Sequence, residues 1–374
     1  MKDEGLIGRQ VLPVRQVRLA QSIFVIADDL TGAAEMAGIA SSFGLSVSLL
    51  TVLPEGERMT NESDVVVVAT DMRSSEEHEA VDITRKVVHA LPGDVLLFKK
   101  TDSALRGHIM AEMRTIMEAT GKQKALFIPA NPSKGRVICQ GIYYVNSVPI
   151  SQTSFSSDPE FPAVTSSLSE RFPEAEDMGV MMPDVSNESD IRKCLEQVDS
   201  CTLLAGAADL FSALLFHLGA IQQNDKSDFH FPTEEVLVVC GSTQSRPEIL
   251  PMRKAYMPLS LYNGEVGAEC WMEEVLAQYA AHHALALCIA FHHLTGKEVA
   301  VRLRETMAAV VKCLVKRYQP KQLVVEGGAT AFACCRALGL SHFQDICQLA
   351  PGVVRILADN GMYVTLKPGS YLFG

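Results

Sequence analysis

The segment SIFVIADDLTGAAEMAGIA, at positions 22–40, constrains the fold of this chain more than any other stretch. It opens with an apolar run typical of a β-strand, Ile23 to Ala27, which stops at two adjacent aspartates, Asp28 and Asp29. Small residues with helical character follow from about Thr31. In an α/β sheet, such a junction lies at the carboxyl end of the strand, where ligands usually bind. We therefore expect both aspartates to face a binding site.

The first turn of the predicted helix bears on how those aspartates are used. Gly32, Ala33 and Ala34 carry almost no side chain, which leaves the helix amides open to an anionic group. A simpler interpretation is that Asp29 or Thr31 only caps the helix. A cap needs one such residue, and it does not account for the second aspartate.

Strands and helices alternate through the first half of the chain. Apolar runs that predict further strands lie at 46–52, 64–70, 94–99 and 125–128, and helical segments separate the last three. This order is typical of a parallel sheet covered by helices. Three of the strands end in polar loops, which we expect to share one crevice.

A polar segment between positions 222 and 233 is the best linker in the sequence. After it, strands are predicted at 235–240, 258–262, 284–290 and 323–325. Short apolar runs alternating with glycines from Pro351 onward predict antiparallel strands.

The predicted fold class is therefore α/β, with two domains and an active site in the cleft between them. Each domain is expected to be a mostly parallel, helix-covered sheet with antiparallel additions. We expect an N-terminal extension over 1–21, a first domain over 22–230 and a second domain over 231–374.

Composition narrows the partners and the location. The formal net charge of -11 argues against a nucleic-acid partner or an anionic membrane surface, so a small molecule is expected. The ten cysteines include no CxxC pair, which favours reduced, buried thiols. The longest apolar stretch, 203–221, is interrupted by Asp209 and His217 and indicates a buried helix, not a membrane span. We expect a soluble, cytoplasmic protein.

The loop KKTDSALRG, at 99–107, follows a predicted strand and combines cations, a carboxylate and a hydroxyl. Lys100 and Arg106 can pair with a carboxylate, and Asp102 can accept hydrogen bonds from hydroxyl groups. This mixture, with Ser103, suits an anionic, hydroxylated substrate. The alternative is a solvated loop that contains a local Asp–Arg ion pair.

The second half contains candidate phosphate-binding loops. Gly327 and Gly328 precede a helix in which Thr330 is an extra donor, and Gly241 and Ser242 follow the first strand of that half. The chain has no GxxxxGK[ST] loop and no HRD or DFG motif, so it is neither a P-loop protein nor a protein kinase. A nicotinamide-dependent oxidoreductase is disfavoured because no GxGxxG follows the first strand.

From Phe24 onward the sequence resembles the four-carbon acid sugar kinase family. The resemblance rests on IADDLTGAAE at 26–35 and KKTDSALRG at 99–107, then on IPANPSKGR and GIYYVN between 128 and 146. In the second half it rests on CGSTQSR at 240–246, EGGATA at 326–331 and the C-terminal segment that includes KPGSYLFG.

The resemblance implies a sugar-acid domain followed by a nucleotide domain, and ATP-dependent phosphorylation of a threonate, an erythronate or an oxo-tetronate. Mg²⁺ is expected with ATP, with ligands that remain unknown. The implied substrate-binding residues are Asp28, Asp29, Lys100, Asp102, Ser103 and Arg106, of which Asp29, Asp102 and Arg106 are the catalytic candidates. The implied ATP contacts are Gly241, Ser242, Gly327, Gly328, Ala329, Thr330 and Gly369. Asp29 is favoured as the acceptor of the hydroxyl proton.

The sequence departs from the family pattern in two places. Ala329 stands where related sequences usually carry an acidic residue, and Pro368 and Tyr371 interrupt the usual glycine-rich C-terminal loop. The alternative function is therefore a catalytically weakened sugar-acid-binding or regulatory homologue with an impaired ATP site. The expected partners are the sugar acid and ATP, with a possible homodimer.

Overall fold

A computed structural model describes residues 19, 21–52, 58–59, 63–93, 95–158, 160–223, 231–242, 245–289, 294, 296–350 and 352–367. Its α-helices are α1 (Leu30–Ser42), α2 (Glu77–Ala90), α3 (Ile109–Thr120), α4 (Leu168–Arg171), α5 (Glu188–Leu195), α6 (Ala208–His217), α7 (Leu259–Tyr262), α8 (Glu269–His282), α9 (Lys297–Tyr318) and α10 (Gly328–Leu338).

The first ten strands are β1 (Ile23–Ala27), β2 (Val47–Leu50), β3 (Val65–Ala69), β4 (Leu96–Lys100), β5 (Lys124–Ile128), β6 (Arg136–Cys139), β7 (Ile142–Val145), β8 (Val148–Pro149), β9 (Val180–Met181) and β10 (Thr202–Gly206). The remaining strands are β11 (Val236–Cys240), β12 (Arg253–Tyr256), β13 (Ala284–Cys288), β14 (Gln322–Glu326), β15 (His342–Ala350), β16 (Val353–Ala358) and β17 (Tyr363–Lys367).

Most strands belong to one large sheet, in the order β12-β13-β11-β14-β17-β16-β15-β2-β3-β1-β4-β10-β5-β9. The strands from β2 to β9 in this order are parallel to one another. The strands β12, β13, β11, β14 and β17 form a second parallel set. Both β1 and β3 are completely buried, as expected for apolar strands with helices on both faces.

Antiparallel strands join the two parallel sets. β15, β16 and β17 form a meander, and β15 pairs with β2 through only two residue pairs, His342 with Leu50 and Phe343 with Leu49. The α/β class with mostly parallel strands and antiparallel additions is thus confirmed. The two predicted sheets are continuous with each other through this short pairing, and β6, β7 and β8 form a separate small sheet.

The twist of the large sheet explains how its two parallel sets approach each other. Because three successive antiparallel pairings, β2 with β15, β15 with β16 and β16 with β17, lie between the sets, the sets run in opposite directions. Six steps across the sheet separate β1 from β14. At roughly 20–25° of twist per step, these strands are rotated relative to each other by about 120–150°. The carboxyl end of β14 is thereby turned back toward the carboxyl end of β1.

Helix α1 packs against both sets. It contacts β2 and β3 on one side, and β15, β16, β17 and α10 on the other. Its small residues permit this close packing: a methyl group at Gly38 would lie only 2.8 Å from Cγ2 of Val354 in β16. The glycine and alanine content of α1 therefore reflects its place between two layers.

One predicted strand was wrong. Residues 258–262 form the short helix α7 after Pro258, and the strand of this region is β12, which precedes it. A short apolar run cannot be assigned to a helix or a strand from periodicity alone. β12 lies at the edge of the sheet, where its sequence RKAY carries charges that a central strand would lack.

The packing of α1 predicts the effect of filling Gly38. Gly38→Ala should destabilise the protein by about 1–3 kcal/mol, because the new methyl group overlaps Val354. Chemical denaturation of the single and double variants with Val354→Ala gives the coupling between the sites, and we expect the smaller residue to relieve part of the loss. A Gly38→Ala protein more stable than wild type, as helix propensity alone would predict, would contradict this packing.

Candidate functional site

The carboxyl ends of β3, β1 and β4 are adjacent in the sheet. The chain leaves β1 through α1 toward β2, whereas it leaves β4 through α3 toward β5, in the opposite direction. Right-handed crossovers in opposite directions put α1 and α3 on opposite faces of the sheet. The end of β1 beside β4 is therefore a topological switch point, the usual place for a ligand.

Asp28 is held by Arg73, which follows β3. The Nε and Nη2 atoms of Arg73 each donate a hydrogen bond of 2.8 Å to Asp28, whose exposed fraction is 2%. Burial by itself would raise the pKa of Asp28, but the charge and hydrogen bonds of Arg73 hold it below its usual value. Asp28 is thus a buried anion that orients Arg73.

Asp29 lies at the start of α1 and has several partners. Its Oδ1 atom accepts a hydrogen bond of 2.9 Å from the Gly32 amide and is 2.9 Å from Nη2 of Arg73. Its Oδ2 atom accepts a hydrogen bond of 2.9 Å from the Thr31 hydroxyl. The capping interpretation is confirmed for Asp29, and the second aspartate is explained by its pairing with Arg73.

The start of α10 meets the start of α1. A methyl group at Gly328 would lie 2.2 Å from Oγ1 of Thr31 and 3.0 Å from Oδ2 of Asp29. Gly327 is the N-cap of α10 and, as a glycine, has no side chain with which to cap the helix. Ala329, in the first turn, is exposed. The unpaired amides of a helix N-terminus therefore lie directly beside the Asp29 carboxylate.

The loop after β4 contains a local Asp–Arg ion pair, which the alternative interpretation of the KKTDSALRG motif predicted. Nε of Arg106 donates to Oδ2 of Asp102 at 2.7 Å, and Nη2 donates to Oδ1 at 3.2 Å. Burial alone would raise the pKa of Asp102, but Arg106, Arg73 and Lys100 hold it well below the usual range. The loop is not simply solvated, because Asp102 is 9% exposed.

A group of cations lies beside this loop. Nζ of Lys100 donates to the Thr101 carbonyl at 2.8 Å and is 3.8 Å from Oε2 of Glu35 on α1. Lys134, which follows β5, also pairs with Glu35. Nη1 of Arg136 donates a hydrogen bond to the Ser103 hydroxyl. Ser103 is thus bound to the first residue of β6, to which the sequence had assigned no role.

The predicted nucleotide residues also come together. The Thr330 hydroxyl donates a 3.4 Å hydrogen bond to the Gly241 carbonyl, and a methyl group at Gly241 would overlap the Thr330 side chain. A methyl group at Gly327 would lie 3.7 Å from the oxygen of the same carbonyl. Ser242 follows Gly241 directly. These residues form a cradle of small side chains, whereas Gly369 lies outside the described residues.

Glu326, the acidic residue before the paired glycines, is turned inward. Its Oε1 atom accepts a hydrogen bond of 2.7 Å from Lys367, and both side chains are nearly inaccessible. The Gly327 amide donates to the Lys367 carbonyl at 3.0 Å. Glu326 therefore joins β14 to β17 beneath the start of α10.

Asp71, in the loop after β3, has a perturbed carboxyl group. Burial raises its pKa to about 7, the negative charge of Asp29 also raises it, and Arg304 and Arg336 oppose the shift. Its backbone is left-handed, with φ at 52°. Arg304 on α9 and Arg336 on α10 thus act electrostatically on the loop after β3.

The predicted substrate-binding residues lie in the loops after β1 and β4, apart from Lys100, which is the last residue of β4. Sequence reasoning missed the roles of Arg73, Glu35, Lys134 and Arg136. Arg73 was visible only as a charge after a strand, and Lys134 and Arg136 only as part of the motif IPANPSKGR.

Across the described ranges, no three His, Cys, Asp or Glu side chains are grouped as a metal site. None of the helices within these ranges has the length and apolar character needed to cross a bilayer.

Fold and site together define a protein with a cluster of charged side chains at one set of strand ends and a group of small residues at the start of a helix beside it. A family model for a sugar-binding N-terminal domain matches residues 23–211, and one for a nucleotide-binding C-terminal domain matches residues 256–371. The chain belongs to the four-carbon acid sugar kinase family. The resemblance carried by its motifs is thereby confirmed.

Several relatives align over most of the chain. A D-threonate kinase of Salmonella typhimurium is 25% identical over 391 residues, which cover 88% of this chain and 89% of the relative. A 3-oxo-tetronate kinase of Actinobacillus succinogenes is 24% identical over 400 residues, with coverages of 93% and 96%. A D-erythronate kinase of Heliobacterium modesticaldum is 30% identical over 145 residues, which cover 38% of this chain and 33% of that protein.

Solved structures share the fold. A Haemophilus influenzae protein matches with a TM-score of 0.67 at 20% identity, over 93% of this chain and 97% of that one. A Salmonella typhimurium protein matches with a TM-score of 0.72 at 17% identity, over 94% and 96% of the two chains. At these identities the likeness concerns the fold alone.

The Arg73 pairing predicts a large loss of stability on its removal. Arg73→Met should destabilise the protein by about 3–5 kcal/mol at neutral pH, because it leaves Asp28 buried and unpaired. The loss should shrink as the pH falls. In the wild type, protonation removes the stabilisation that comes from the lowered pKa of Asp28. In the variant, protonation of Asp28 removes the unpaired buried charge. Denaturant titration is the measurement.

Arg85→Met is the matched control for that experiment. Arg85 pairs with Asp82 at 2.9 Å, but both side chains are about half exposed or more. Its removal should change the free energy of unfolding by less than about 1 kcal/mol. Equal effects of the two substitutions would contradict the structural role assigned to Arg73.

The raised pKa of Asp71 predicts a pH-dependent effect of Asp71→Asn. In the wild type, the stability linked to Asp71 is complete below its ordinary pKa and is lost as the pH rises through about 7. Asn does not titrate and tolerates the left-handed backbone. The variant should therefore gain about 1–2 kcal/mol relative to wild type between about pH 5 and pH 8, allowing for solvent screening. A stability difference that is constant with pH would contradict this.

Proposed function

We propose that this chain is an active ATP-dependent kinase that phosphorylates a hydroxyl group of a four-carbon sugar acid of the threonate, erythronate or 3-oxo-tetronate class. One observation carries the proposal: Gly328, at the start of α10, contacts Asp29 and Thr31 at the start of α1. The cradle that suits a triphosphate is thus directly beside the carboxylate that suits a reacting hydroxyl group. The relatives named as kinases of these acids support the same substrate class.

On the acceptor side, we assign substrate binding to the loops after β1 and β4. Nζ of Lys100 is 3.8 Å from Oε2 of Glu35, and the Ser103 hydroxyl accepts a hydrogen bond from Arg136. Asp102 and Arg106 bind each other and thereby shape the loop, which supports a positioning role for them in the absence of substrate. Asp28 acts through Arg73.

On the donor side, we assign the phosphates to Gly241, Ser242, Gly327, Gly328 and Thr330. Ala329 adds an exposed amide in the first turn of α10 and no acidic side chain. Bound ATP would supply the phosphoryl group, and its Mg²⁺ would offset the negative charge of the phosphates. Mg²⁺ is commonly held by phosphate oxygens, water and one or two carboxylates, so a cluster of three protein ligands is not required.

Asp29 is the group that we assign to accept the hydroxyl proton. Asp28 and Asp102 each bind an arginine through both carboxylate oxygens. Oδ2 of Asp29 accepts a hydrogen bond from the Thr31 hydroxyl, forms no ion pair within the described part of the chain, and lies 3.0 Å from where a methyl group at Gly328 would be. A hydroxyl group placed between Asp29 and the start of α10 would be oriented toward the phosphates. Positioning of this kind supplies much of the catalysis in phosphoryl transfer.

The alternative of a weakened, regulatory homologue is not favoured. It was motivated by Ala329 and by the altered C-terminal loop. The cradle formed by Gly241, Gly327 and Thr330 does not depend on the side chain at 329. Four-carbon acid kinases are among the relatives that align over most of the chain.

The finer parts of the sequence interpretation stay predictions. We place the boundary between the two domains at 230–231, which is supported by family models that end at 211 and begin at 256. A cytoplasmic location, a cleft between the domains, a homodimer and the ligands of Mg²⁺ also remain predictions.

Asp29→Asn tests the proposed function and its proton acceptor together. The wild type should release ADP from Mg²⁺–ATP only when a four-carbon acid from a stereochemical panel is present. Asparagine caps helices as well as aspartate does, so the variant should stay folded, with a thermal midpoint lowered only by the lost ion pair with Arg73, while kcat falls by about 100- to 10,000-fold. Asp82→Asn, on the exposed face of α2, is the control and should retain full activity. The proposal fails if no acid in the panel stimulates ADP release.

A further inference from the structure

The sequence suggested Arg106 as the bidentate partner of a substrate carboxylate, and the structure makes that role difficult. Both oxygens of Asp102 already bind the Nε and Nη2 edge of Arg106. The remaining terminal nitrogen, Nη1, is 3.6 Å from Asp158. Removing these carboxylates from Arg106 would leave Asp102 buried without its counter-ion, which is unfavourable. A different cation is needed for an incoming acid.

Arg136 is placed to meet that need. It follows β5 and the turn at Pro132–Lys134, and its Nη1 donates to the Ser103 hydroxyl in the loop after β4. Its guanidinium lies 5.5 Å from the centre of the Phe155 ring, within the range of a cation–π contact. Among the described residues, no carboxylate forms a direct ion pair with Arg136.

Arg136 belongs to a group of basic side chains that gather around one carboxylate. Lys100, Lys134 and Arg136 all act on one carboxylate, Glu35. Burial alone would raise the pKa of Glu35, and these cations lower it below the usual value. Three basic side chains thus approach one partly buried carboxylate, in a place where an incoming anion would be attracted.

We propose that Arg136, with Lys134 and Lys100, binds the carboxylate group of the substrate and makes the enzyme select acids over uncharged polyols. Glu35 is a positioning residue, because it pairs from α1 with both lysines. Ser103 positions Arg136 by accepting its hydrogen bond. The assignment rests on the proposed function for the identity of the acid. A guanidinium can bind a carboxylate through two parallel hydrogen bonds, which lysine cannot do.

The test compares wild type with Arg136→Gln and Arg136→Lys, using threonate or erythronate and the tetritol that lacks the carboxylate. Arg136→Gln should raise KM for the acid by about 10- to 100-fold, with KM for ATP unchanged, because one charge-assisted interaction is lost. Discrimination between acid and tetritol should fall by the same factor. Arg136→Lys should recover part of the loss. Arg192→Gln, on the exposed face of α5, should change neither value.

Calorimetric titration of the acid without nucleotide separates this inference from the kinase proposal. Acid binding that weakens in Arg136→Gln supports the carboxylate site even if no phosphorylation is found. An active kinase whose KM for the acid and discrimination against the tetritol are unchanged in Arg136→Gln overturns the carboxylate site and leaves the kinase proposal intact. A folded wild type that binds no four-carbon acid overturns both.

Discussion

The contact between the starts of α1 and α10 is the constraint on which the site depends. Each helix begins immediately after a buried parallel strand, and each presents unpaired amides at that end. Asp29 satisfies an amide of α1, while α10 begins at glycines and has no side-chain cap. The result is one carboxylate and one open helix N-terminus side by side. Glycine at 328 is required because a larger residue would displace Thr31.

Sheet twist and the small residues of α1 make that contact possible. The two parallel sets run in opposite directions, so a flat sheet would put the ends of β1 and β14 at opposite edges. Accumulated twist and the close packing of α1 against β16 return them to the same region. Our proposal thus assigns substrate specificity and phosphate binding to different strand sets, and phosphoryl transfer to the place where the helices meet.

Much of this arrangement could be predicted from local sequence. An apolar run that ends in Asp28 and Asp29 identifies a strand end, and the KKTDSALRG and EGGATA motifs identify two more. The roles of Arg73 and Arg136 could not be predicted, because each depends on a partner 45 or 33 positions away in the sequence. The joining of the two sheets rests on a two-residue pairing that has no distinct sequence pattern. β12 was missed because charges on an edge strand hide its periodicity.

The central claim is that an acceptor hydroxyl group and the terminal phosphate of ATP meet between Asp29 and Gly328. A crystal structure with a non-hydrolysable ATP analogue and a four-carbon acid is the most direct measurement. The account predicts a substrate hydroxyl oxygen beside Asp29 and about 3–3.5 Å from the terminal phosphorus, the separation of a reactive conformation. Phosphates bound away from the start of α10, or an acid bound away from Asp29, would contradict it.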